Sequence, residues 1–194
     1  IQKKRRFKTF ILDGNKECMK SFFCNSQMDT VAWGKLYKYS MFKNVRYPVG
    51  KYNEDVFTTY KIVAQCKKIF VGKRQYYNYR IRPSSIMTSI FTEKHLDAIK
   101  GNVERAKFVK EYYPDLEKYA NAGIIYAVNQ CVWKISKSLN VENEKEIIIK
   151  FQHYYRMYEF DYLQGNSGIR AKLFSIIAFV NVRTLIYVLK KYFN

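Results

Sequence analysis

A chain of 194 residues with 48% apolar and 18% aromatic side chains can bury a sizeable core, which excludes a disordered tail. Only 8 Gly and 3 Pro exclude collagen-like, linker-like and turn-dense architectures, and no apolar run approaches the about 18 residues of a membrane span. Its 35 basic and 16 acidic side chains leave a net charge of +19, a field that favours anionic partners such as nucleic acid, acidic lipid or phosphorylated small molecules.

The chain opens at Ile1 with a basic IQKKRRFK run and no apolar segment behind it. That is the start expected of a chain entered in its middle, not of a signal peptide. Asp13 is placed to cap a short helix through GNKECMKSFFC, with Cys18, Met19, Phe22 and Phe23 inward. TVAWGKLYKYSMF, interrupted by Gly34, and RYPVGKYN, with Pro48 and Gly50, read as irregular connections. EDVFTTYKIVAQC carries Val56, Tyr60 and Val63/Ala64 at helical spacing, and its two acids open the helix where the dipole favours negative charge. KKIFVGKRQYYNYRIR reads as strand, turn at Gly72-Lys73 and second strand, the run of Tyr76, Tyr77 and Tyr79 suiting β structure.

The remainder is helical in pattern. Leu96, Ile99, Val103, Ala106 and Tyr113 step at three- and four-residue intervals, as do Leu116, Ala120, Ile124, Ala127, Cys131 and Ile135, with Pro114 at the break. A third helix over roughly 143–159 turns Ile147, Phe151, Tyr154 and Tyr158 inward. After the GNSG turn a last helical stretch reaches Phe193, jointed near Asn181. The composition shift near residue 91 divides the chain into 1–91, α/β in character, and 92–194, all helical.

Charge follows the same division. Residues 1–91 carry 19 basic and 5 acidic side chains, a net of +14, against 16 and 11, a net of +5, in 92–194. An AT-rich genome would yield the excess of Lys over Arg without any ligand, but it explains the asymmetry less well. Cys18, Cys24, Cys66 and Cys131 form no C-x-x-C pair, and His95 and His153 stand far from zinc spacing, so reduced, mostly buried thiols and no metal ligands are expected.

The feature with chemistry in it is the acid pair Glu54-Asp55 at a helix start, amid basic and aromatic residues, with Arg80 and Arg82 following in YRIRPSSI. Alone, such a pair is most often a cap. In order along the chain, however, Trp33, Lys35, Leu36, Tyr37, Pro48, Gly50, Glu54, Asp55, Tyr79, Arg80, Arg82, Ser85 and Ile86 resemble the second half of the catalytic domain of family 2 glycosyltransferases. The resemblance covers roughly residues 10–110. Gly34 replaces a common Asn, and Tyr47-Pro48 a common Phe-Pro. It implies an α/β fragment, the C-terminal half of a GT-A nucleotide-diphospho-sugar transferase fold, followed by a helical region.

The same resemblance implies an inverting transfer from a nucleotide-sugar donor to a glycan or lipid-linked acceptor, in surface polysaccharide synthesis. Asp55 would be the general base, its helix-start position lowering its pKa, and Glu54 would orient the loop or the acceptor. Arg80, Arg82 and Ser85 would hold the departing diphosphate, with charge defending an exposed hairpin edge as the alternative. Trp33, Lys35 and Tyr37 would contact the acceptor, core packing being the alternative for the two aromatics. The family holds a divalent Mn or Mg on a D-x-D motif, and no D-x-D occurs in these 194 residues. The chain is therefore expected to lack the donor-binding half and to be inactive by itself. Cytoplasmic placement, peripheral at the inner face of a bacterial membrane, fits a lipid-linked acceptor and an anionic surface for the tail, where Leu173, Ile176, Ile177, Val180, Leu185, Val188 and Leu189 lie near Lys172, Arg183, Lys190 and Lys191. The competing class is a basic nucleic-acid-binding module; KKIFVGKRQYYNY fails the RNA-recognition signature, so no nucleic-acid partner is expected.

Overall fold

The computed structural model describes residues 8–191 apart from 26, 75, 81–84, 87 and 166, together with the backbone of 192–193. The chain divides into two compact units, residues 1–81 and 82–194. The composition shift near residue 91 lies inside the second.

In the first unit, β1 (Phe10–Asp13) is followed by α1 (Asn15–Cys24), a single 3-10 turn (Tyr39–Phe42), α2 (Glu54–Val63) and β2 (Lys68–Val71). The two strands pair antiparallel, Phe10 opposite Val71 and Asp13 opposite Lys68. Alternation along each strand buries Leu12 on the side of Phe10, Ile69 and Val71, and leaves Ile11 and Phe70 exposed at 61% and 68% on the other. An exposed Lys68–Asp13 ion pair at 2.9 Å closes the outer face. α1 lies against both strands and α2, contributing Cys18, Met19 and Phe22 to the core. The cap of α1 is Gly14 at φ 95°, not Asp13, which ends the strand. A left-handed backbone there suits glycine, and its N–H donates to the Lys67 carbonyl at 2.7 Å.

Two expectations fail here. Lys68–Val71 is a strand, but its partner is β1; residues 76–80 are irregular, with exposed tyrosines. The α/β expectation fails with it: among the described residues the sheet has two four-residue strands, and the chain is mostly helical, so it is not an α/β GT-A fragment. A helix-covered parallel sheet needs several buried apolar strands, and β1 and β2 each offer one alternating face.

The second unit holds a 3-10 turn (Glu93–His95), α3 (Leu96–Tyr112), a turn at Pro114–Leu116, α4 (Glu117–Ser136), α5 (Glu144–Gln164), α6 (Ile169–Val180) and α7 (Val182–Phe193). α4 is central, packing on α3, α5 and α7 through Ile124, Ile125, Val128, Cys131, Val132 and Ile135. α5 turns Ile147, Phe151, Tyr155 and Tyr162 into the core, whereas Tyr154 and Tyr158, expected inward, are half-buried on its flank. Where α3 passes α4, Gly123 faces Arg105 and Asn102, the two being hydrogen-bonded to each other. Three cysteines are buried, Cys24 is exposed, and all four are free.

The joint near Asn181 is present and has a clear chemistry. The Asn181 side chain accepts from the N–H of Arg183 at 2.8 Å and Thr184 at 3.2 Å, capping α7. Gln152 of α5 reaches across, donating to the carbonyls of Ala178 and Phe179 and accepting from Val182 N–H at 3.0 Å. Gln152→Ala therefore removes three bonds at the break, and a loss of about 1–2 kcal/mol is expected. Urea unfolding should show a lower midpoint at unchanged m; an unchanged midpoint would mean that water replaces the amide.

Candidate active site

The acid pair sits at the entry to α2. Asn53, at φ 55°, turns the chain into the helix; of non-glycine residues Asn tolerates this left-handed conformation best. The half-buried Asp55 then folds its carboxylate back, Oδ1 accepting from Val56 N–H at 2.8 Å. Burial pushes Asp55 above the usual carboxylate range and the neighbouring Glu54 charge adds to this; the backbone N–H groups and Lys35 pull the other way and are outweighed. The expected lowering by the helix start is thus reversed, because desolvation exceeds the dipole's help.

The segment that precedes α2 is tied to it. Thr59 Oγ1 donates to the Thr30 carbonyl at 2.6 Å, and Thr58 Oγ1 to the Arg46 carbonyl at 3.3 Å. Lys35 Nζ is pinned by Asp29 Oδ1 at 2.7 Å and the Val31 carbonyl at 2.6 Å, which leaves its charge acting on Asp55. Asp29 was not singled out from sequence; its role shows only when Lys35 folds back six positions.

The aromatic residues divide. Trp33, 40% exposed, stacks on Tyr77 at 4.7 Å between ring centroids and 16° between planes, and lies against Tyr79 at 5.3 Å. It is a platform at the surface, not core. Tyr37 is half-buried, edge-on to Phe42 at 5.5 Å; burial and the neighbouring Tyr47 hydroxyl hold it neutral well above the usual tyrosine range. Tyr37 thus packs against Phe42 and is only partly open to solvent. The repeated tyrosines of YYNY were the signal for this cluster, but alternation pointed to a strand instead.

Arg80 is exposed in the irregular 76–80 segment, and Arg82 lies outside the described residues. Ser85 belongs to the second unit, where its N–H and hydroxyl both engage Thr88 Oγ1 at 3.1 Å. Among the described residues no group of three or more His, Cys, Asp or Glu is placed to hold a metal ion.

Comparison with known proteins finds a relative over part of the chain. Over 102 residues, 52% of this chain, the sequence is 37% identical to a protein named Glycosyltransferase GlyA from Streptococcus pneumoniae serotype 4 (strain ATCC BAA-334 / TIGR4). The chain spans 14% of that protein's length. No protein-family model and no solved structure matches.

Proposed function

We propose that the chain is the acceptor-activating part of a glycosyltransferase, with Asp55 as the general base. The observation that carries this is the half-buried Asp55 at the entry of α2, in a chain 37% identical over 102 residues to a protein of that name. The ordered motif from Trp33 to Ile86 supports the finer assignment to family 2 and to an inverting transfer from a nucleotide-sugar.

In that step an acceptor hydroxyl oxygen attacks the anomeric carbon. Its proton passes to the Asp55 carboxylate, and the bond from the anomeric carbon to the nucleoside diphosphate breaks, its electron pair leaving with the diphosphate. A carboxylate raised above its usual range is a better proton acceptor than an ordinary aspartate. Trp33, with Tyr77 behind it, gives the acceptor sugar a flat apolar surface for its C–H face. By resemblance, Arg80, Arg82 and Ser85 serve the diphosphate. No step is assigned to a metal in this chain.

The test is acceptor-dependent release of nucleoside diphosphate by the full-length protein across a panel of nucleotide-sugars and glycan acceptors. Trp33→Ala should raise the acceptor KM at least about tenfold with a smaller effect on kcat, the pattern of lost uniform binding. No transfer with any pair would overturn the function. Transfer with an unchanged acceptor KM would overturn the platform alone.

A further inference from the structure

α6 is predominantly apolar, yet one side of it is covered by nothing among the described residues. Its inner side places Ser175 and Ala178 in the core, Ser175 Oγ donating to the buried Glu159 of α5 at 2.5 Å. The opposite side carries Ile169, Leu173, Ile176, Phe179 and Val180, exposed at 77%, 54%, 44%, 44% and 74%. On a helix of about 3.6 residues per turn, Ile169, Leu173, Ile176 and Val180 form one stripe and Phe179 widens it. The sequence had placed this apolar surface on α6 and α7 together. In the folded chain α7 spends its face internally, with Val182, Leu185, Ile186 and Leu189 buried, so α6 alone is available.

The charges around the stripe say what covers it. Arg170 and Lys172 fall on its two flanks, on opposite sides of the wheel. Lys172 Nζ also donates to the Leu163 carbonyl at 2.6 Å, which holds its charge beside the stripe. After Asp161 the sequence contains Arg170, Lys172, Arg183, Lys190 and Lys191 and not one acid. A second copy packing stripe to stripe would bring these flanking cations against their own equivalents. At about 1.5 Å per residue the twelve residues of α6 fall far short of a bilayer, and no helix among the described residues is long and apolar enough to cross one. A short helix with an apolar outer stripe and cationic flanks instead suits the plane of an anionic lipid surface, side chains in the acyl boundary and cations among the headgroups.

We propose that the outer face of α6 docks the protein on an anionic membrane surface. The inference stands apart from the catalytic reading and would survive its failure. The experiment is co-sedimentation of the 194-residue chain with vesicles of phosphatidylcholine alone or mixed with phosphatidylglycerol, at physiological salt. Binding is expected with the mixed vesicles only. Arg170→Glu should weaken it at least about fivefold, and Leu173→Glu with Ile176→Glu should abolish it. Lys20→Glu, an exposed site in the other unit with the same change of net charge, should weaken it clearly less.

Equal binding to both vesicle types, binding to neither, or equal loss with Lys20→Glu and Arg170→Glu would overturn the proposal. So would a concentration-dependent oligomer that the α6 variants dissolve. Folding of each variant is checked by circular dichroism. As a measurement that needs no charge inserted, a polarity-sensitive fluorophore on Ile176→Cys, in a Cys24→Ser background, should shift to the blue with anionic vesicles. An unshifted spectrum would equally overturn the assignment.

Discussion

Asp55→Asn in the full-length protein is expected to lower sugar transfer by about 10²–10⁴-fold, the usual range for loss of a general base. The amide keeps the shape of the carboxylate and can still accept from Val56 N–H, so donor and acceptor binding should persist. Asp55 is raised by burial and by Glu54, so its acidic limb in the pH profile of kcat/KM should lie above the ordinary aspartate range and vanish in the variant.

Stability should move the opposite way. A carboxyl whose folded pKa exceeds its unfolded value binds more protons folded than unfolded. The first unit therefore loses stability as pH rises from the unfolded pKa through the folded one. An amide at position 55 has no such loss, so the variant should melt no lower than wild type at neutral pH and should show a flatter stability profile as pH rises above the ordinary aspartate range. Retention of more than roughly a tenth of the rate would remove Asp55 from the role of base.

Gly123→Leu is the second large effect. Leu is a better helix former than Gly by about 0.8 kcal/mol, so propensity alone predicts a gain. The space says otherwise: a Cβ at 123 already meets the Arg105 guanidinium and the Asn102 side-chain oxygen, both on buried residues. A longer side chain must break that hydrogen bond or push α3 from α4. Overpacking and a disturbed charge-assisted bond together should outweigh propensity, for a net loss of about 2–4 kcal/mol. Chemical denaturation of the 194-residue chain measures it, and the loss should shrink when Arg105 is also shortened to Ala. A neutral or stabilising Gly123→Leu would show that the α3–α4 contact yields freely.

What could be read from sequence was the part that depends on neighbours along the chain. Pro114 between α3 and α4, the Glu54-Asp55 entry to α2 and the joint at Asn181 are local signals, and each stands where the residues put it. β1 escaped notice because four residues, FILD, are too few to display alternation, and without it the Tyr76–Tyr79 run looked like the natural partner of β2. The pattern over 143–159 turns Tyr154 and Tyr158 inward, but α5 is aromatic on adjoining faces, and its packing on α4 buries Tyr155 and, beyond that span, Tyr162. At the site, the acid pair was visible, but the direction of its proton affinity was not. Desolvation is set by residues remote in sequence, and so is the stacking of Trp33 on Tyr77.

The pairing of β1 with β2 governs how the two units come into being. Asp13 meets Lys68 across nearly the whole of the first unit, so that unit must close a long loop before its sheet contributes anything. The second unit is built from helices that pack on sequence neighbours, α3 on α4, α4 on α5, α5 on α6. Low contact order of that kind folds fast, and non-local strand pairing folds slowly. The helical unit, although it is synthesised after the first unit, should reach its native contacts first. The unit that holds Asp55 is then the slower to mature, and the period in which Ile11, Phe70 and the open strand edges await their pairing is when the chain is most exposed to misassembly.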